Sequence, residues 1–298
     1  MQSVLSGKQS YYLIFYITNI GEYFYFSFIN LRLNHINILI MLNSPASLYL
    51  IGAGPGDPEL ITIKSIRILK QADVVLYDAL ANEELLSYTR PSAIRHFAGK
   101  RMGCHYLSQQ EINTLIVDYG KRYKSIVRLK GGDSFVFGRA HEEINAARAA
   151  GMHVEVVPGI SSCLAAPASQ LIPLTCRGIN ESFWVTTGTT KNGNISPDIH
   201  LAAKSSATII ILMAMSRLEA IMDIFAAAGK SDTPVAIIQE ATMPNEKIVI
   251  GNVKNIACKA GFEKLTNPSV IVIGEVVNLH PSVVKHQVAH YGNELAMR

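Results

Sequence analysis

The chain has 298 residues, about half of them apolar, with 27 Lys and Arg against 23 Asp and Glu for a net charge of +4. That composition excludes a disordered chain and is long enough for two domains of ordinary size. The charge is too weak to argue for nucleic acid, and four cysteines with no Cys-x-x-Cys spacing argue neither for zinc nor for a redox pair, leaving a reducing, cytoplasmic setting.

Residues 1–46 are an apolar, aromatic-rich leader. Glu22 falls near its middle, where an acidic side chain costs about 2.5–3.5 kcal/mol on insertion scales, and no small-x-small cleavage site follows Lys8, so neither a membrane span nor a signal peptide is expected. The fold is expected to start near Met41, and the intact mass of the natively expressed protein tests this.

From residue 47 strands alternate with helices, which predicts a largely parallel sheet in a first α/β domain over 47–158. An apolar strand at 48–51 runs into Gly-Ala-Gly-Pro-Gly-Asp-Pro at 52–58. This is not a dinucleotide fingerprint, because Asp57 stands where the third glycine is needed. A helix is expected from Glu59, with Ile63, Ile66 and Leu69 on one face. The strand at 72–77 delivers Asp78 at its carboxyl end, as a cleft carboxylate or as a cap for a helix at 82–87. A short strand at 94–97 leads to Lys100 and Arg101. Ser108 and Glu111 form a capping-box pattern opening a helix to Tyr119.

The buried-type strand at 125–129 is followed by Gly131, Gly132 and Asp133, flanked by Arg128, Lys130 and Arg139. Two glycines at a strand end let a ligand reach bare backbone, and the flanking cations suit an anion. The plainer reading is a tight turn with Asp133 as a cap. A helix from 139 to 150 and a strand at 154–157 complete this half.

A second α/β domain is expected over 159–280, with a tail at 281–298. Ser161 and Ser162 open a helix, either as simple caps or as ligand-binding amides and hydroxyls. Arg177 lies in a loop. Strands are expected at 182–186, 208–213, 234–238, 247–250 and 270–273, and helices at 216–228 and near 253–262. His286 and His290 in the tail have helical spacing, but without a third ligand they read as solvated and not as a metal site.

Five pieces then stand in one order: the 52–58 loop, Leu-Tyr-Asp at 76–78, Gly-Lys-Arg at 99–101, Arg-Leu-Lys-Gly-Gly-Asp at 128–133, and Val-Val-Pro-Gly-Ile at 156–160 followed by Pro-Leu-Thr at 173–175. As a set they resemble the tetrapyrrole methylase family over residues 48 to about 277. The resemblance implies two α/β domains with an S-adenosylmethionine cleft between them, in a homodimer. It implies methyl transfer to two pyrrole carbons of uroporphyrinogen III, giving precorrin-2, with no metal, no nucleic acid and no membrane. It places cofactor contacts on Pro55, Gly131, Gly132, Asp133, Val136, Ser161, Ser162, Met213 and Ala241, and an acid/base pair on Asp78 and Lys100. Arg101, Arg139 and Arg177 are candidates for the substrate carboxylates, each with an even alternative as a solvated surface charge. Lys130 is expected to support the cofactor loop. The chain departs from the family pattern at Ser134, Ala140-His141, Cys176 and Glu240-Ala241.

Overall fold

The computed structural model describes residues 45–99 and 107–284. Lys100, Arg101, His286, His290 and the leader up to residue 44 lie outside them.

The first sheet is built from β1 (Ser47–Gly52), β2 (Val74–Tyr77), β3 (Ile94–Phe97), β4 (Ser125–Lys130) and β5 (His153–Val157), in the order β3-β2-β4-β1-β5. Every pairing is parallel, as the strand–helix alternation predicts. Side chains alternate across the sheet. Leu48, Leu50, Val74, Leu76 and Ile126 point to one face, against Ile112 and Ile116 of α2 (Gln109–Gly120) and Ile144 and Ala147 of α3 (Ala140–Ala149). Ile51, Val75, Val127 and Leu129 point to the other, against Leu69 of α1 (Ile63–Leu69) and Leu85 and Leu86 of a 3-10 turn. A sheet covered on both faces explains why its strands read as continuous apolar runs.

The second sheet joins β6 (Phe183–Thr187), β7 (Thr208–Leu212), β8 (Pro234–Gln239), β9 (Lys247–Asn252) and β10 (Ser269–Ile273) in the order β6-β7-β10-β8-β9. Only β6 and β7 are parallel; the remaining pairs are antiparallel. One face carries Ile209, Ile211, Ile237 and Ile271 against Ile221 and Phe225 of α6 (Leu218–Ala227) and Ile256 of α7 (Ile256–Phe262). The other carries Ile210, Ile238 and Val272 against Cys163 and Ala166 of α4 (Ser162–Ser169).

The capping box forms as the sequence predicts: Ser108 Oγ accepts the Glu111 amide at 3.2 Å, and Glu111 Oε2 accepts the Ser108 amide at 2.6 Å. Two expectations need correction. The helix expected from Glu59 is a 3-10 turn over Pro58–Leu60, and α1 starts only at Ile63, where the Thr62 hydroxyl accepts the Ser65 amide. The apolar face is also rotated: Ile63 is 83% exposed, and Leu69 is buried. A short helix, α5 (Asp198–Ala202), was not legible, since only Ile199 and Ala202 turn inward in so short a run.

Candidate active site

The carboxyl ends of β1, β4 and β5 lie side by side, and their loops meet backbone to backbone. Gly54 and Gly132 exchange hydrogen bonds, Gly132 N to Gly54 O at 2.7 Å and the reverse at 3.2 Å. A Cβ on Gly52 would sit 2.5 Å from Gly159 N and 2.7 Å from Gly132 O, so this seam admits glycine only. Gly132 adopts φ +66°, and a Cβ there would meet nothing closer than Ser161 Cα and Ser162 N at 3.8 Å. It opens onto a cleft of about 860 Å³ between the two sheets, a volume suited to a small-molecule cofactor.

All nine residues expected to hold the cofactor line this cleft: Pro55, Gly131, Gly132, Asp133, Val136, Ser161, Ser162, Met213 and Ala241. They come from both sheets. Ser161 and Ser162 open α4, and Ser161 is its N-cap. Met213 ends β7 and Ala241 follows β8. Met213 and three further cleft residues, Phe137, Arg139 and Glu240, have φ between 48° and 55°, a region non-glycine residues avoid. Each costs about 1–3 kcal/mol, and such strain collects at functional sites.

Hydrogen bonds fasten the lips together. The Asp57 amide donates to Thr242 Oγ1 at 3.1 Å, tying the loop after β1 to the loop after β8. Glu246 braces that second loop from behind, accepting from the Thr242 amide, from Gln170 and, at 2.9 Å, from Ser169 Oγ at the end of α4. Asp133 is not a helix cap. Its two oxygens accept Phe135 N at 2.8 Å and Gly159 N at 3.0 Å, so it clamps the loop after β4 to the loop after β5.

Asp78 sits at the end of β2 and lines the cleft, with its side chain 23% exposed. Oδ1 accepts the amides of Leu80, Ala81 and Gly131 at 3.1, 3.2 and 3.3 Å. Asp78 is thus a cleft carboxylate that also closes its own turn, and it is not the cap expected for a helix at 82–87. That segment is a 3-10 turn over Glu83–Tyr88, capped by Asn82, whose side chain accepts the Glu84 amide at 2.9 Å. Arg128 Nη2 approaches Oδ2 at 3.4 Å.

The expectation that Arg128 and Lys130 attract an anion is corrected. Both are buried, at 3% and 5% exposure, and both pair with the fully buried Glu143 on α3, while Arg128 also faces Asp78, so that two carboxylates balance the two cations. Glu143 Oε1 accepts Lys130 Nζ at 2.9 Å, Arg128 Nε at 3.3 Å and Gln109 Nε2 at 3.2 Å. Burial, and then the Arg128 charge, push the Lys130 ammonium below the usual lysine range, while Glu143 pulls it back up. Lys130 directly precedes the loop that starts at Gly131, and its ammonium is tied to α3 through Glu143. Glu143 was missed by sequence reasoning, although the signal existed: with Ala140, Ile144 and Ala147 it falls on the inner stripe of α3.

Arg139 lines the cleft and makes a two-pronged pair with Glu142, at 2.7 and 2.8 Å. Arg177 is exposed on the turn around 176–180 and does not line the cleft. Lys100 and Arg101 belong to the segment outside the described residues.

The model of the family described as tetrapyrrole (corrin/porphyrin) methylases matches residues 47–257. Over 232 residues the chain is 44% identical to a uroporphyrinogen-III C-methyltransferase of Methanocaldococcus jannaschii, covering 77% of this chain and 96% of that one. It is 41% identical to a siroheme synthase of a Psychrobacter species, covering 85% of this chain and 51% of the relative, so the chain spans about half the length of that protein. The crystal structure of the uroporphyrin-III C-methyl transferase of Thermus thermophilus, complexed with S-adenyl homocysteine, superposes with a TM-score of 0.68 at 35% identity, covering 78% of this chain and all of that one. A matched span of this extent, across both sheets and the cleft between them, makes the chain a member of the tetrapyrrole methylases.

Proposed function

We propose that the chain is an S-adenosylmethionine-dependent C-methyltransferase that methylates two pyrrole carbons of uroporphyrinogen III to give precorrin-2. The observation that carries this reading is the cleft itself. Its glycine seam, the start of α4, Met213 and Ala241 line one cleft together with a partly buried carboxylate, Asp78. The cradle fits the cofactor, because Gly132 leaves open the space that any side chain there would fill.

The residues proposed to hold S-adenosylmethionine are Pro55, Gly131, Gly132, Asp133, Val136, Ser161, Ser162, Met213 and Ala241. Bound there, it supplies a methyl group already activated on a sulfonium. The chain's own work is to orient the pyrrole carbon in line, exclude water and remove a proton. Once the new carbon–carbon bond forms, the ring carries a positive charge. It loses a proton to Asp78, and the electron pair of the broken bond returns to the ring. Lys100 is proposed as the acid partner. The substrate's carboxylates suit arginine, and Arg139 is the candidate that reaches the cleft. Arg101 is a further candidate, and Arg177 is a weaker one because of its place on an outer turn.

We further infer a homodimer acting in the cytoplasm. Exposed apolar side chains such as Phe183 and Trp184 on the edge strand β6 support a protein contact. Among the described residues no helix is long and apolar enough to cross a membrane. The test is incubation with methyl-labelled S-adenosylmethionine and uroporphyrinogen III. Two labelled methyls per ring are expected. Transfer only to a ring that is already methylated, or to none, overturns the reading.

A further inference from the structure

The two oxygens of Asp78 are in different states. Oδ1 accepts three backbone amides, so its lone pairs are spent. Among the described residues Oδ2 has one polar contact, Arg128 Nη2 at 3.4 Å, which is long for a charged pair. The reason lies on the far side of the guanidinium. Nη1 donates to Leu129 O at 2.9 Å and to Leu76 O at 3.4 Å, and Nε donates to Glu143 Oε1 at 3.3 Å. Arg128 is thus drawn away from Asp78, and Glu143 is the charged group that draws it.

Glu143 is an unusual buried carboxylate. Oε1 serves three donors, and among the described residues Oε2 has no hydrogen-bond partner. A buried oxygen left unpaired is unfavourable and rare, so this pose is not the one that best satisfies Glu143 itself. It is the pose that holds Arg128 and Lys130 together.

We propose that Glu143 is a positioning residue for Asp78, holding Arg128 back so that Oδ2 stays a free acceptor for the proton released from the substrate. This rests on the methyltransfer reading above. With Glu143 neutral, the guanidinium closes on Oδ2 of Asp78, which covers that oxygen and lowers its basicity. The charged groups facing Asp78 among the described residues are Arg128 and Lys130 from β4 and Glu143 from α3. Gln109 of α2 is neutral, and Asp133 and Arg139 line the same cleft further along the loop.

The test uses the full chain labelled with carboxyl-13C aspartate, the Asp78 signal being the one lost in Asp78→Asn. In Glu143→Gln the Asp78 titration is expected to move to lower pH by about one unit or more. In Lys130→Met it moves to higher pH, because a nearby cation is gone and Glu143 is left to Arg128. Single-turnover methyl transfer by Glu143→Gln falls by about tenfold or more, its acid limb moving down with the titration, while S-adenosylhomocysteine affinity stays at the wild-type value. A folded Glu143→Gln protein with both titration and acid limb unmoved reduces Glu143 to a structural role and overturns the proposal. Should Glu143→Gln not fold, an unmoved titration in Lys130→Met overturns it alone. An inactive wild type sinks the methyltransfer reading instead, and the Asp78 titration still decides whether Glu143 holds Arg128 back.

Discussion

The two sheets differ most in what they bury. The second has a core rich in isoleucine, alanine and valine around Phe225 and, among the described residues, buries no charged side chain. The first buries an ionic cluster, Arg128, Lys130 and Glu143, directly beneath the ends of β2 and β4. Buried charges lose hydration, and replacing such pairs by apolar side chains often stabilises a protein, so stability does not explain this one. A parallel sheet brings all its strand ends to one edge, and here that edge carries the carboxylate, the glycine seam and the charges. The mixed sheet brings uncharged residues such as Leu212, Met213, Ile238 and Ala241 to the cleft. One half sets charge in place and the other holds shape.

Five substitutions can break or sharpen that contrast. The largest effect is expected at the seam. Gly132→Val places a branched side chain in the open space of the cleft at φ +66°, and calorimetry should detect no S-adenosylhomocysteine binding by the folded variant. Wild-type affinity would refute the role given to bare backbone.

Next comes the carboxylate. Asp78→Asn keeps size and most hydrogen bonding but cannot take a proton, so single-turnover methyl transfer should fall by about 10²–10⁴, with cofactor affinity nearly unchanged. Full activity would leave Asp78 as a cap for residues 80–81 and nothing more. In the second half, Phe225→Ala should cost about 3–5 kcal/mol in a urea unfolding midpoint, while surviving folded protein keeps its turnover number. A loss of turnover in stable protein would bring the apolar half into the chemistry.

The smallest effects separate two arginines. Arg139→Ala should raise the KM for uroporphyrinogen III several-fold with little change in melting temperature, since its exposed pair with Glu142 is worth about 1 kcal/mol or less. Arg177→Ala, on an outer turn, should leave both within about twofold. An equal rise in KM for both would move the substrate rim beyond the cleft.

The strands were the most legible part of the fold, because sheets covered on both faces write themselves as apolar runs. Helix starts were less legible. Thr62 and Pro58 decide where α1 begins, and a hydroxyl cap four residues late is easily passed over. In the site, Gly131, Gly132, Ser161 and Ser162 could be placed because each follows a strand end. The charges could not. Arg128 and Lys130 look like surface cations in one dimension, and only the packing of α3 against β4 shows that Glu143, more than ten residues on, consumes them. Likewise nothing in the run around Arg177 distinguishes an outer turn from a cleft wall.

The path of the chain through residues 157–162 has a thermodynamic consequence. Val157 ends a strand of the first sheet, and five residues later Ser162 opens a helix that packs on the second. The connecting peptide therefore forms a wall of the cleft while also linking the two cores, with Gly159 pinned by Asp133. A ligand seated there binds only when both cores are folded and correctly apposed. By linkage, such a ligand at 100 times its Kd adds about 2.7 kcal/mol to the folded state. Occupancy of the cleft is thus expected to couple the unfolding of the two cores.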